Sequence, residues 1–256
     1  MDKSRLLLFS ISFILLSGCS LFSKETEKKI VADGLSPKII YQEAKNKEDS
    51  GTTEQAIDQY RILLESYPGS KYAIQARLDI SYNLFQLKKY NLALNELDRF
   101  IQKYPALPIT PYAFYLRGVI AEEKSSSILD KIVTDNAQRD VESVSDAYNY
   151  FNLLIEKFPD SEYANEARMK LISLKNTLAR HEFYVALYYT KKRSFIGAIN
   201  RSKYIIENFP NSSSMPDSLH LMALNYDSIG AEELAKSTRI ILKTNFPGYK
   251  QRYKLK

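Results

Sequence analysis

The chain has 256 residues, of which 45% are hydrophobic and 26% are charged, and this balance excludes wholesale disorder. The formal net charge is +6, which permits attraction to anionic lipids, nucleic acid or an acidic partner. Lysine and arginine are spread along the chain, so the charge predicts a solvated surface and no nucleic-acid partner. A single cysteine, Cys19, excludes an intrachain disulfide.

The first residues have the pattern of an export signal. Lys3 and Arg5 give it a positive start, and residues 6–16 form an apolar run of eleven residues, too short to span a bilayer as a helix. The following LSGC, which ends at Cys19, resembles the lipobox of bacterial lipoproteins. That resemblance implies cleavage of residues 1–18, diacylglycerol on the Cys19 sulfur and an acyl chain on its new amino group.

The alternative for Cys19 is a free thiol buried in the fold, but the apolar run, the small residues and the lone cysteine coincide. Several acyl chains, each contributing about 0.8 kcal/mol per buried methylene, anchor a protein stably. Ser20 follows the cysteine where lipoproteins retained in the inner membrane carry aspartate, so the resemblance implies the outer membrane. Residues 19–35 are predicted to be the lipidated N-terminus and a tether.

Five repeats follow, each marked by an aromatic residue before a proline. The prolines are spaced by 37, 54, 51 and 37 residues. They are Pro68, Pro105, Pro159, Pro210 and Pro247. The small residues twelve positions before them are Ala56, Ala93, Ala147, Ala198 and Ala235. The large apolar residues seven positions after these alanines are Leu63, Phe100, Leu154, Ile205 and Leu242.

A second small residue lies twelve positions before the alanine in four repeats. These residues are Ala44, Ser81, Ala186 and Ala223. In the third repeat the count falls on Asp135, and removal of a 17-residue insertion between about 125 and 141 moves it to Gly118. The fourth repeat has an excess of fourteen residues, close to four helical turns, which predicts a longer first helix.

This pattern resembles the tetratricopeptide (TPR) repeat, a helical hairpin whose helices approach closely at small residues and whose second helix ends at proline. Ser70 and Ser161 are predicted to cap the helices that follow them. Because such hairpins stack on their neighbours, the sequence predicts an all-α superhelical solenoid of five TPR-like hairpins. Repeats 1–3 span residues 36–159, repeats 4–5 span 160–250, and a basic tail spans 251–256.

In a TPR stack the first helices line the concave side. The inward positions of repeats 1–3 contain mostly aromatic residues, which favour a peptide-binding groove because they give large contact areas at low entropic cost. The alternative for each ring is packing between neighbouring repeats. The candidates are Tyr41, Lys45, Leu78, Tyr82, Phe85, Tyr112 and Tyr115.

The sequence offers little catalytic chemistry. His181 and His220 lie in different repeats, and His181-Glu182 lacks the second histidine of a zinc-binding helix. No glycine-rich phosphate loop is present. We therefore predict no enzymatic activity, no metal and no cofactor apart from the covalent lipid.

Several segments resemble the BamD family, the lipoproteins of the outer-membrane β-barrel assembly machine. They include 67–73 (YPGSKYA), 97–104 (LDRFIQKY), 112–119 (YAFYLRGV) and 158–164 (FPDSEYA). The most specific is 178–208, LARHEFYVALYYTKKRSFIGAINRSKYIIEN. The resemblance covers nearly the whole chain after Cys19.

The resemblance implies that repeats 1–3 receive unfolded β-barrel precursors and that repeats 4–5 dock on the periplasmic domains of the insertase BamA, beside other lipoproteins of the machine. Arg201 then becomes a candidate insertase contact, assisted by Asn200 and Arg193. The protein would lie on the periplasmic face of the outer membrane. One alternative is another periplasmic TPR lipoprotein that coordinates cell division or peptidoglycan synthesis, a class that should lack the 178–208 segment. An envelope-tethered hydrolase is a third class.

Overall fold

The computed structural model describes residues 34–126 and 141–255. The predicted signal peptide, Cys19, most of the tether, Asp135 and most of the predicted insertion lie outside these ranges. The described chain forms ten α-helices: α1 Pro37–Asp49, α2 Thr53–Ser66, α3 Lys71–Gln86, α4 Tyr90–Lys103, α5 Thr110–Ser125, α6 Val141–Lys157, α7 Ala164–Lys191, α8 Phe195–Asn208, α9 Met215–Ser228 and α10 Glu232–Asn245.

The ten helices pair into five hairpins, and each hairpin packs on the next. Contacts link every helix to its successor, and they also link the first helices α1 with α3, α3 with α5 and α7 with α9. In repeats 1, 2, 4 and 5 the two helices are joined by three residues, which makes them antiparallel neighbours. The predicted solenoid of five TPR-like hairpins is therefore confirmed.

Small residues lie where the two helices of each hairpin cross. The alanines of the second helices are 0% exposed in all five repeats, as are Ala44, Ser81 and Ala186 of the first helices. Ser81 Oγ donates a hydrogen bond of 2.9 Å to the Ala93 carbonyl oxygen, so the two small residues of repeat 2 meet directly. Gly118 is buried against Phe151 in repeat 3, which confirms the position obtained by removing the insertion.

The first helix of repeat 4 is the longest described. α7 has 28 residues, whereas α1, α3, α5 and α9 have 13 to 16. The excess in sequence spacing is therefore extra helix, as predicted.

One of the two predicted N-caps is correct. Ser70 Oγ accepts a hydrogen bond of 3.0 Å from the Ala73 amide at the start of α3. Ser161 does not cap α7, because the helix begins only at Ala164. The Ser161 carbonyl oxygen accepts from the Ala164 amide at 3.0 Å, and its hydroxyl is buried without a described partner. A turn therefore separates this serine from the helix that it was expected to cap.

The hydrophobic core is continuous across residue 159. Phe114 of α5, Phe151 of α6 and Ala167 of α7 belong to one buried cluster, and the rings of Phe114 and Phe158 lie 5.4 Å apart. Repeats 3 and 4 therefore share packing. Within the two described ranges, no helix combines the length and apolar character needed to cross a membrane.

Candidate peptide-binding groove and docking face

A cavity of about 290 Å³ opens between the first helices of repeats 1–3. It is lined by Lys45, Glu48, Gln75, Leu78, Asp79, Tyr82, Ile109, Tyr112 and Tyr163. We call this cavity the client groove, after the unfolded precursor protein, or client, that the sequence predicts it to receive. It brings together Lys45, Leu78, Tyr82 and Tyr112 of the predicted set.

The helical register explains which candidates face the groove. Lys45 and Tyr82 each directly follow the small residue of their helix, and both line the cavity between the first helices. Tyr82 is 39% exposed, whereas Leu78 is 1% exposed and forms the floor. Tyr112 is partly covered, and burial raises its pKa to about 12. The groove therefore has an apolar floor and tyrosine walls.

Tyr41 and Tyr115 occupy one shared helical position, three residues before the small residue, and both pack between repeats. The Tyr41 hydroxyl donates to Asp79 Oδ2 at 2.8 Å, and the Tyr115 hydroxyl donates to Glu166 Oε1 at 2.5 Å. Burial, together with the accepting carboxylate, raises the pKa of both phenols. For these two rings the structure supports the alternative that the sequence left open.

Phe85 lies beside the client groove and does not line it. The centroid of its ring lies 6.4 Å from that of Tyr82, in an edge-on arrangement, and 6.2 Å from that of Tyr90. Phe85 therefore packs against the Tyr82 ring that lines the groove.

Sequence reasoning missed a second pair of tyrosines. Tyr163 stacks on Tyr115 with ring centroids 5.2 Å apart and lies 5.6 Å from Tyr112. Tyr72 holds the equivalent position at the start of repeat 2, and its ring centroid lies 5.5 Å from that of Tyr41. Both belong to the Pro-x-Ser-x-Tyr-Ala segments that open repeats 2 and 4, so the recurrence of this tyrosine could have revealed the contact.

Two carboxylates give the groove an acidic side. Burial opposes ionisation of Glu48, but hydrogen bonds from Lys45, Asn83 and Tyr60 at 2.9, 3.0 and 2.9 Å outweigh it and lower its pKa. Burial dominates at Asp79 and raises its pKa, although Tyr41 and Gln75 donate to it. The groove thus offers charged and amide groups beside its rings, which suits the backbone and side chains of an extended peptide.

The three candidate insertase contacts are all exposed and lie on one hairpin, α7–α8. Arg201 on α8 donates to Glu182 Oε2 on α7 at 3.0 Å, and the side chain of Arg201 is 44% exposed. Arg193 is the middle residue of the α7–α8 turn, with φ of 59°. The equivalent turn positions in repeats 1 and 5 are Gly51 and Gly230, so Arg193 holds a backbone conformation that favours glycine.

Two apolar residues that sequence reasoning did not name complete this face. Ile196 and Tyr204 are 58% and 43% exposed, and they flank Asn200 at intervals of four residues on α8. Residues four apart share one face of a helix. We call the exposed surface formed by Ile196, Asn200, Arg201 and Tyr204 the α8 face.

Within the described ranges, histidine, cysteine and acidic side chains form no group of three that could hold a metal ion. The features that the structure does present are a stack of helical hairpins, an open groove and an exposed α8 face. They define a helical-repeat protein of the TPR-like class.

Comparison with known proteins gives the family. The family model described as outer membrane lipoprotein (YfiO) matches residues 34–241. A BamD outer membrane protein assembly factor of Neisseria meningitidis serogroup A is 33% identical over 91% of this chain and 87% of its own length. The BamD of Xylella fastidiosa Temecula1 is 30% identical over 93% and 80%, and that of Vibrio cholerae O1 is 28% identical over 92% and 95%. The chain belongs to this family of outer membrane lipoproteins.

The names of these relatives describe assembly factors, which is a non-catalytic role, and imply association with the outer membrane. Among solved structures, MamA has a TM-score of 0.35 and 14% identity over 85% of this chain and 97% of its own. The repeat assignment therefore rests on the five helical hairpins and not on this likeness.

Proposed function

We propose that the chain is a non-catalytic, lipid-anchored scaffold of the β-barrel assembly machine. It receives unfolded outer-membrane proteins in the client groove and couples them to BamA through the α8 face. The observation that supports this most is the client groove itself, because Tyr82 and Tyr112 border a 290 Å³ cavity on the concave side of three stacked repeats.

The chemistry of the groove suits the aromatic-rich C-terminal strand of a barrel precursor. Aromatic and aliphatic side chains of such a strand would bury apolar area against Leu78, Tyr82 and Tyr112, at about 25 cal/mol per Å². Lys45 and Gln75 at the rim can pair with carbonyl and amide groups of an extended backbone. A folded strand has these groups already paired, so the groove favours unfolded clients.

The α8 face supports the second half of the proposal. Glu182 is 15% exposed and forms an ion pair with the Arg201 guanidinium. This pair orients the guanidinium, whose remaining N–H groups can donate to a carboxylate of a partner. Ile196 and Tyr204 add apolar contact area around it. Insertase docking would therefore combine a charged contact with apolar burial.

Lipidation of Cys19 and attachment of other assembly lipoproteins belong to the same proposal. Acyl chains on Cys19 would hold the repeats at the periplasmic face of the outer membrane, with the tether of residues 19–35 between them. The sequence around Cys19 supports this step.

Photo-crosslinking tests the proposal in cells. A benzoylphenylalanine placed at Tyr82 should capture unfolded barrel precursors, and one placed at Tyr204, which has a similar exposure, should capture the insertase instead. Precursor captured equally from both positions would contradict the division of roles.

A further inference from the structure

The end of the chain folds back onto the concave side of repeats 4 and 5. Tyr253 packs edge-on against Phe183 of α7 at 5.1 Å, and its hydroxyl lies 2.9 Å from Nδ1 of His220 on α9. Phe183 and His220 each lie three residues before the small residue of their helix. Leu78 holds this position on the floor of the client groove, whereas Tyr41 and Tyr115 hold it in contacts between repeats. The tail therefore packs against the inner surface of the first helices.

Asp217 holds the tail through a buried carboxylate. Asp217 is 7% exposed and precedes the small residue Ala223 by six positions, as Tyr112 precedes Gly118. Its Oδ1 accepts from the Tyr249 hydroxyl at 2.8 Å, and its Oδ2 accepts from Arg252 Nη2 at 2.6 Å. Since a buried carboxylate is costly without donors, this site requires hydrogen-bond donors, and the tail supplies a phenol and a guanidinium.

The site extends beyond the tail. Arg252 also donates to the Ser213 carbonyl oxygen at 2.7 Å, at the turn between α8 and α9. A cavity of about 270 Å³ remains beside the tail, lined in part by Phe183, Ser214 and Tyr253. The tail therefore satisfies the charged centre of the site and leaves room next to it.

We infer that the concave side of repeats 4 and 5 is a second peptide-binding site, which selects a tyrosine followed three residues later by an arginine and then an aromatic residue. Residues 249–253 occupy it as a built-in competitor. The inference uses the helical positions that line the client groove, but it does not depend on what that groove binds or on the α8 face. A partner segment of the same chemistry can bind only when the tail is displaced. The tail therefore lowers the apparent affinity of the site for such a partner.

The test uses the full chain and a labelled peptide copied from residues 248–256, GYKQRYKLK. A double variant, Arg252→Ala with Tyr253→Ala, disables the tail and should bind this peptide at least tenfold more tightly than the wild-type chain. Adding Asp217→Asn should abolish the gain. A scrambled peptide of the same composition controls for charge, because non-specific attraction would not depend on sequence.

A second measurement keeps the inference testable if the double variant is unstable. Asp217→Asn alone conserves shape and should release the tail, so trypsin should cleave after Arg252 at least tenfold faster than in the wild-type chain. Unchanged cleavage in the Asp217→Asn variant would overturn the inference. It would also be overturned by a tail-disabled chain that melts normally and binds the peptide no better than wild type, or binds the scrambled peptide equally well.

Discussion

Gly118 lies so close to the ring of Phe151 that a methyl group in its place would stand 2.5 Å from the ring edge. This contact is the point where α5 and α6 cross, and Phe151 is fully buried there. The repeat geometry thus depends on the absence of a side chain at one residue.

Gly118→Ala should therefore destabilise the fold. The ring must move within a packed core, and overpacking of this kind costs about 1–3 kcal/mol. Gly69→Ala is the matched control, because nothing lies within 4 Å of its added carbon. Thermal unfolding of both variants checks this, and equal melting temperatures would contradict the proposed crossing.

Asp79→Asn should change the pH dependence of stability. Burial raises the pKa of Asp79 in the folded protein above the ordinary value of 3.8. Ionisation of Asp79 therefore lowers the free energy of unfolding. This cost is absent below the unfolded-state pKa of 3.8 and is fully present above the folded-state pKa. Asparagine carries no such cost. The stability of the variant relative to wild type should therefore improve as the pH is raised from about 3.5 to 6.5, the range over which aspartate ionises. Urea unfolding at several pH values in this range measures the difference. A relative loss of stability in the variant would refute the raised pKa of Asp79.

Glu48→Gln should show the opposite trend. Hydrogen bonds from Lys45, Asn83 and Tyr60 outweigh burial and lower the pKa of Glu48 below 4.5. Its ionised form therefore stabilises the fold above that value, and the contribution is lost as the pH falls through the folded pKa. The same urea series should show the variant falling further behind wild type as the pH rises, and a constant difference would argue against the network.

Arg201→Glu should weaken co-purification of the insertase without unfolding the protein. Loss of a desolvated ion pair at an interface costs about 2–5 kcal/mol. Lys203→Glu is the matched control, since it reverses a charge on the same helix with a 63% exposed side chain. If both variants retain the insertase equally, Arg201 is not a contact. Arg193→Gly can be compared beside them, because glycine relaxes the backbone of that turn while removing the side chain.

The sequence was sufficient to place the five hairpins, because a helix crossing admits only small residues and the spacing of Ala56 or Ala93 from the next proline records where each crossing lies. The same register identified Tyr82 and Tyr112 as groove residues. It left open groove lining or packing between repeats for Tyr41 and Tyr115, whose hydroxyl partners lie 38 and 51 residues further along the chain. Helical periodicity reports which face a residue occupies, and it does not report what the next repeat places against that face.

The C-terminal residues show the same limit. Composition suggested only a basic tail for residues 251–256, whereas Arg252 and Tyr253 are tied to residues of α7 and α9 more than thirty positions away. The buried Asp217 that holds Arg252 resembles any other helix-surface aspartate in the sequence. Only the three-dimensional packing reveals this partner.

The proposed client groove is tested by the affinity of a peptide copied from a barrel's C-terminal strand for the variant with Tyr82→Ala and Tyr112→Ala. Fluorescence anisotropy should show at least tenfold weaker binding than for wild type, because the two truncated rings together remove about 1.4 kcal/mol or more of apolar contact. Tyr204→Ala, which is similarly exposed but lies on the α8 face, should bind the peptide normally. A double variant that melts like wild type and still binds the peptide with unchanged affinity would contradict the client groove.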